Sequence, residues 1–313
     1  MIQIFKTEDG IVHQTDEIEL NSWIALTDPT AAEILEIADK FQVDPDHLRA
    51  PLDEEERSRI ESEDHYSLVL VDIPSIEERS GKDWYVTIPL GIIMMETNII
   101  TVCLEETPVL NAFMDGRVRD FHTYMKTRFI LQILYKNASL YLQYLRVIEK
   151  KSETIEKKLH KSQKNQELIE LLELDKSLLY FTTSLRSNEV VLEKLMRSEK
   201  IKKYSEDAEL LEDVIIENKQ AIEMANIYSG ILGGTMDAFA SVISNNQNLV
   251  MKFLATVTIV MSIPTMISSF YGMNVNTKGM PFADSPYGFI IIIGLSVVIC
   301  LVIAWIFSKK DLF

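Results

Sequence analysis

The sequence predicts an α+β membrane protein with three parts: an N-terminal cytosolic α/β domain, a long helical hairpin, and a stalk helix continuing into the first of two C-terminal transmembrane helices. Three observations carry this prediction. Residues 249–271 and 287–308 are apolar runs of about 22 residues, which at about 1.5 Å per residue cross roughly 30 Å of hydrocarbon. Residues 1–115 alternate strand-like runs with a helix-like one, and from Asp120 to Lys200 the chain is leucine-rich and has neither Gly nor Pro.

In chain order, IQIF (2–5), YSLVLVDI (66–73), WYVTIPLGIIMM (84–95) and NIITVCL (98–104) are rich in β-branched and aromatic residues and read as strands. Asp28-Pro29-Thr30 ahead of Ala31, Ile34, Leu35, Ala38 and Phe41 reads as a capped amphipathic helix with proline in its first turn. Residues 116–204 form the hairpin, with the polar run HKSQKNQE (160–167) as the reversal. Residues 205–271 are the stalk helix and first span, since no proline appears after Ser205 until Pro264. A helix of about 65 residues is near 95 Å long. Gly230, Gly233 and Gly234 are its weakest points, each costing about 1 kcal/mol relative to Ala; alternatively, they let neighbouring helices approach closely. Residues 272–286 are an outer loop, 287–308 the second span and 309–313 a basic tail.

The chain has 313 residues, 31 Lys+Arg against 47 Asp+Glu, a net charge of -16 and 47% hydrophobic residues. A disordered acidic chain lacks that apolar content, and a nucleic-acid partner needs a basic surface, so both are excluded. Upstream of residue 248 there remain 27 basic and 45 acidic residues, a net charge of -18. Lys252 begins the first span and Lys309 and Lys310 follow the second, whereas the loop between has only Lys278. The positive-inside rule then expects a multi-pass membrane protein with both termini in the cytoplasm. No cleaved signal peptide is expected, because MIQIFKTEDG lacks an apolar run behind a basic start. Cys103 and Cys300 lie far apart and form no CxxC pair.

Enzyme chemistry has no foothold: GxxxxGK, HExxH and GxSxG are absent, and His13, His47, His65, His122 and His160 lack ligand spacing. Two helix faces stand out instead. Glu206, Glu209, Asp213 and Glu217 repeat at three and four residues, which repels by about 0.2 to 0.5 kcal/mol per pair unless neutralised; a solvated face is the plainer reading. Asn248, Met251, Ala255, Thr258, Ser262, Thr265 and Ser269 form a second row ending at Gly272. It places an amide first, apolar residues next and hydroxyls beyond, which suits a pore; a small-residue packing seam is the competing reading.

The first span ends in Tyr271-Gly272-Met273-Asn274-Val275-Asn276. Gly-Met-Asn after a first span, with a second span closing the chain, resembles the CorA family of magnesium channels. The resemblance covers the whole chain and is strongest from about Asp213 onward. It implies a homopentamer in the lipid bilayer that conducts divalent cations, with Mg²⁺ as both transported and regulatory ion. It implies a selectivity filter at Gly272, Met273 and Asn274, an amide ring at Asn248 and an apolar constriction at Met251 and Leu254. Neutral Asn274 oxygens can accept from the water shell of Mg²⁺, which that ion holds tightly, without a deep electrostatic trap. Gly272 lets the backbone turn near the axis; a helix C-cap is the other reading of Gly and Asn here.

The family also has an acidic residue at the Asp213 position facing a neighbouring subunit's carboxylate, with cytosolic Mg²⁺ between them holding the channel closed. Asp72, Glu77 and Glu78 all sit in the expected strand-and-turn region, and Glu77 is taken as the partner. The family's Met-Pro-Glu is here Met280-Pro281-Phe282, which leaves Asp284 as the acidic residue of the loop. The same architecture carrying Co²⁺, Ni²⁺ or Zn²⁺, and a membrane-anchored helical scaffold, are the alternatives.

Overall fold

The computed structural model describes residues 1–79, 81–162, 165–197, 205–274, 276, 279–282 and 285–309. Lys278, Asp284 and Lys310 lie outside the described residues, as do the centre of the 160–167 run and most of the 309–313 tail. The chain divides into two compact units, Met1–Met236 and Asp237–Phe313.

In the first unit seven strands form one mixed sheet: β1 (Ile2–Glu8), β2 (Ile11–Thr15), β3 (Trp23–Thr27), β4 (Arg59–Ser62), β5 (Tyr66–Arg79), β6 (Lys82–Met95) and β7 (Ile99–Cys103). Their order is β2-β1-β3-β7-β6-β5-β4, and β3–β7 is the one parallel pairing in it. The β1–β2 turn runs through Asp9 and Gly10 at φ 50° and 80°, the positive values a right-twisted two-residue hairpin demands.

Two apolar layers sandwich the sheet. On one face α1 (Ala31–Phe41) and α2 (Pro45–Arg49) cover Ile24, Leu26, Leu68 and Ile93. On the other, α3 (Pro108–Met114), α4 (Lys126–Ser162) and α5 (Asn165–Met196) cover Val69, Val71, Leu90 and Ile92. Trp23 is fully buried, its Nε1 donates to Thr101 Oγ1 at 2.9 Å, and its ring lies 5.0 Å from Phe129. Gly91 marks the tightest approach: a Cβ there would stand 2.2 Å from Pro51 Cγ. Gly91→Ala is therefore expected to lower stability by about 1–3 kcal/mol, read as a fall in melting temperature.

The helix at 31–41 forms as the sequence indicates, with two local corrections. Thr30, not a residue before Pro29, is the N-cap; it makes a capping box with Glu33, and Pro29 precedes the helix instead of entering its first turn. Leu35 is exposed, and Ile37 takes its place beside Ile34 and Ala38. The long helix α6 (Ser205–Tyr271) is continuous through Gly230, Gly233 and Gly234, where an added Cβ would meet nothing within 4 Å. The last helix is α7 (Gly288–Lys309).

Candidate functional site

Two helices, Ser205–Tyr271 and Gly288–Lys309, are long and apolar enough to cross a membrane. Pro264 lies inside the first, so the carbonyl four residues back, Val260 O, loses its helical donor. The thiol of Cys300 on α7 points to that carbonyl at 3.6 Å. A freed carbonyl in hydrocarbon needs such a partner, which gives Cys300 a role that its isolation in the sequence concealed.

Along α6, Asn248, Met251, Leu254, Ala255, Thr258, Ser262, Thr265 and Ser269 are all exposed, Met251 at 64% and Leu254 at 51%. An open groove of about 750 Å³ runs past Thr258, Ser262, Thr265 and Ser269. Three of the hydroxyls are committed as donors to their own helix. Thr258 donates to Leu254 O at 2.8 Å, Ser262 to Ile259 O at 2.8 Å and Thr265 to Met261 O at 3.1 Å. Their oxygen lone pairs are left as acceptors on the exposed face, which suits donors such as the waters of a hydrated cation.

The helix ends at Tyr271, whose hydroxyl donates to Pro281 O at 2.8 Å. Gly272 N donates to Ser268 O at 2.9 Å, and Gly272, Met273 and Asn274 are all exposed. Gly272 does not adopt a positive φ, and a Cβ there would make an ordinary 3.4 Å contact with Ser268 O. Within one chain, then, the tight turn expected of this glycine is not what requires it, and neither is a left-handed cap.

The acidic face of α6 is only partly free. Glu206 Oε2 accepts from Arg128 Nη2 at 2.5 Å, and buried Asp207 accepts from Arg128 Nε at 3.2 Å. Asp213 is exposed and has no ion pair among the described residues. The three candidate partners on β5 separate cleanly. Glu77 is exposed and grips Arg79 with both oxygens, at 2.7 Å through Nε and 2.5 Å through Nη2, which holds its carboxyl below the usual range. Glu78 is exposed.

Asp72 is different, because α4 and α5 cross it. Its backbone carbonyl accepts from Asn188 Nδ2 at 2.7 Å, Asn137 Nδ2 at 2.8 Å and Tyr141 at 3.2 Å. Burial pushes its carboxyl up to about 6, against the hydroxyls of Ser184 and Ser58, which pull it down. Glu77 and Glu78 are thus exposed, whereas Asp72 is half-buried beneath α4 and α5. Its folded value lies above the ordinary 3.8, so its contribution is fully present below that value and is lost as pH rises through about 6. Asp72→Asn is expected to flatten thermal stability between these values and to raise it above pH 6 by on the order of 3 kcal/mol.

These features define the class first. The complete structure of the CorA magnesium transporter from Methanocaldococcus jannaschii matches with a TM-score of 0.85 and 27% identity, covering 99% of this chain and 98% of that one. Full-length CmaX has the same fold, with a TM-score of 0.70 at 14% identity over 98% of this chain and 96% of that one. The class is that of membrane transporters with a mixed-sheet domain and two terminal apolar helices, and not that of enzymes.

The family model described as CorA-like Mg²⁺ transporter protein matches residues 20–310, and the chain belongs to that family. The cobalt/magnesium transport protein CorA of Methanocaldococcus jannaschii is 28% identical over 99% of this chain and 98% of its own length.

Proposed function

We propose that this protein is a homopentameric channel of the plasma membrane that carries Mg²⁺, and with it Co²⁺, into the cytoplasm. The observation that carries this reading is the exposed row from Asn248 to Ser269, whose hydroxyl lone pairs face outward and which leads to Tyr271-Gly272-Met273-Asn274. One chain leaves that row uncovered, and a ring of copies would close it around a water-filled path. The similarity to a cobalt/magnesium transport protein over the full chain supports the choice of ion.

In this reading Gly272, Met273 and Asn274 form the outer filter, with Asn274 amide oxygens accepting from the ion's water shell. Met251 and Leu254 form the apolar gate and Asn248 an inner amide ring. Both termini are cytoplasmic, and influx is driven by the membrane potential, about 2.3 kcal/mol per elementary charge per 100 mV and twice that for a dication. Cytosolic Mg²⁺ between Asp213 and a neighbour's Glu77 holds the ring closed. When it leaves, the acidic faces repel and the gate wets.

Liposomes containing the full chain, held inside-negative, test it. Mg²⁺ uptake blocked by cobalt hexaammine, an inert octahedral mimic of the hydrated ion, supports the channel. Absence of uptake at low internal Mg²⁺ supports a membrane-tethered scaffold.

A further inference from the structure

The fold brings together three groups that the sequence separates. His47 sits on α2, Glu61 on edge strand β4, and Glu63 in the turn from β4 to β5. One ligand atom from each lies within 4.8 Å of the others. His47 Nε2 stands 3.4 Å from Glu61 Oε2.

The histidine is fixed from behind. Asp44 caps α2 with Pro45 at its first position, and its side chain accepts from Asp46 N at 2.9 Å. Asp44 N donates to the hydroxyl of buried Tyr66 at 3.2 Å, and the same hydroxyl lies 2.8 Å from His47 Nδ1. Nδ1 is thereby occupied, and Nε2 is directed at the carboxylates. A hydrogen-bonded partner on the far ring nitrogen is the arrangement that orients a metal-ligating histidine.

Glu61 is fixed as well. Its Oε1 pairs with Arg59 Nε, while Arg59 Nη1 holds Glu56, so Oε2 is the oxygen left for His47. Glu63 is exposed, and its backbone N–H donates to Tyr66 O at 2.9 Å, closing the tight β4–β5 turn. The same tyrosine thus holds His47 through its hydroxyl and the Glu63 turn through its carbonyl.

We infer that His47, Glu61 and Glu63 form a second metal site, on the sheet edge, for a transition-metal dication of the Zn²⁺ or Co²⁺ class. One imidazole and two carboxylates supply three protein ligands, leaving a further position to water. Imidazole suits Zn²⁺, Co²⁺ and Ni²⁺, whereas Mg²⁺ prefers an all-oxygen octahedron. Once Nε2 binds the ion, the ring proton sits on Nδ1 and is donated to the Tyr66 oxygen. Two carboxylates balance the dication, with Arg59 confined to the far oxygen of Glu61. The site belongs to the Met1–Met236 unit, and the helix row that carries the transport reading belongs to the Asp237–Phe313 unit.

Equilibrium dialysis of the detergent-solubilised full chain against Zn²⁺, in millimolar Mg²⁺, tests it. The wild-type protein is expected to retain one Zn²⁺ per chain that His47→Gln lacks, and Asn274→Ala is expected to keep it. Glu63→Gln and Tyr66→Phe are each expected to weaken binding by about tenfold or more. Equal Zn²⁺ binding by wild type and His47→Gln, or displacement by Mg²⁺ at matching concentration, overturns the site. Should His47→Gln fail to fold, Glu63→Gln carries the test, since its exposed side chain bears on no core.

Discussion

Replacing Asn274 with alanine in the full-length protein is expected to reduce Mg²⁺ uptake into inside-negative liposomes by about thirtyfold or more. The side chain is exposed just past the end of α6, so its loss leaves folding untouched. What disappears is the acceptor for water on the arriving ion, and hydrogen bonds to such charge-polarised donors are worth about 1.5–3 kcal/mol. Asn274→Asp is the informative companion. It keeps an acceptor but adds a ring of negative charge, so binding deepens while conduction slows. Uptake that survives Asn274→Ala unchanged would remove the amide filter.

The second large effect concerns regulation. Neutralising Asp213 and Glu77 together, each to alanine, is expected to raise the internal Mg²⁺ needed to stop uptake by about tenfold or more. The bidentate grip of Arg79 on Glu77 adds a sharper consequence. If Glu77 is the bridging carboxylate, Mg²⁺ competes with this guanidinium, so Arg79→Ala is expected to shift inhibition to lower Mg²⁺ by about a few-fold, the modest size of an exposed ion pair. Fluorescent-indicator uptake at graded internal Mg²⁺ reads both. An unchanged inhibition curve in the double variant would place the regulatory ion elsewhere.

Choosing among Asp72, Glu77 and Glu78 shows where sequence reasoning stops. All three sit on one strand with similar neighbours, and alternation puts Asp72 and Glu78 on one face and Glu77 on the other. Only the packing of α4 and α5 shows that Asp72 is half-buried, with Asn137, Tyr141 and Asn188 satisfying its backbone carbonyl. Those residues lie 65 to 116 positions away in the chain. Cys300 is a parallel case: Pro264 announces a freed carbonyl, but which side chain answers it depends on the register of one apolar helix against another.

The histidines make the same point from the other side. Read along the chain they have no ligand spacing, and His47 stands 14 positions from Glu61. The fold brings the two within 3.4 Å, with His47 held by the Tyr66 hydroxyl and Glu61 by Arg59.

Some of the protein was settled by sequence alone, because the relevant physics is local. Two apolar runs have the length of a bilayer, an unbroken helical pattern joins the first to the acidic domain, and Asn274 follows that helix directly. Hydrophobic length and helical periodicity act over one element at a time, so they survive being read without a fold. The tertiary structure decided which carboxylates are exposed, which carbonyl each buried donor reaches, and that His47 meets Glu61 and Glu63. Those outcomes depend on contacts between distant segments, where a shift of one residue in strand register exchanges the buried face for the exposed one.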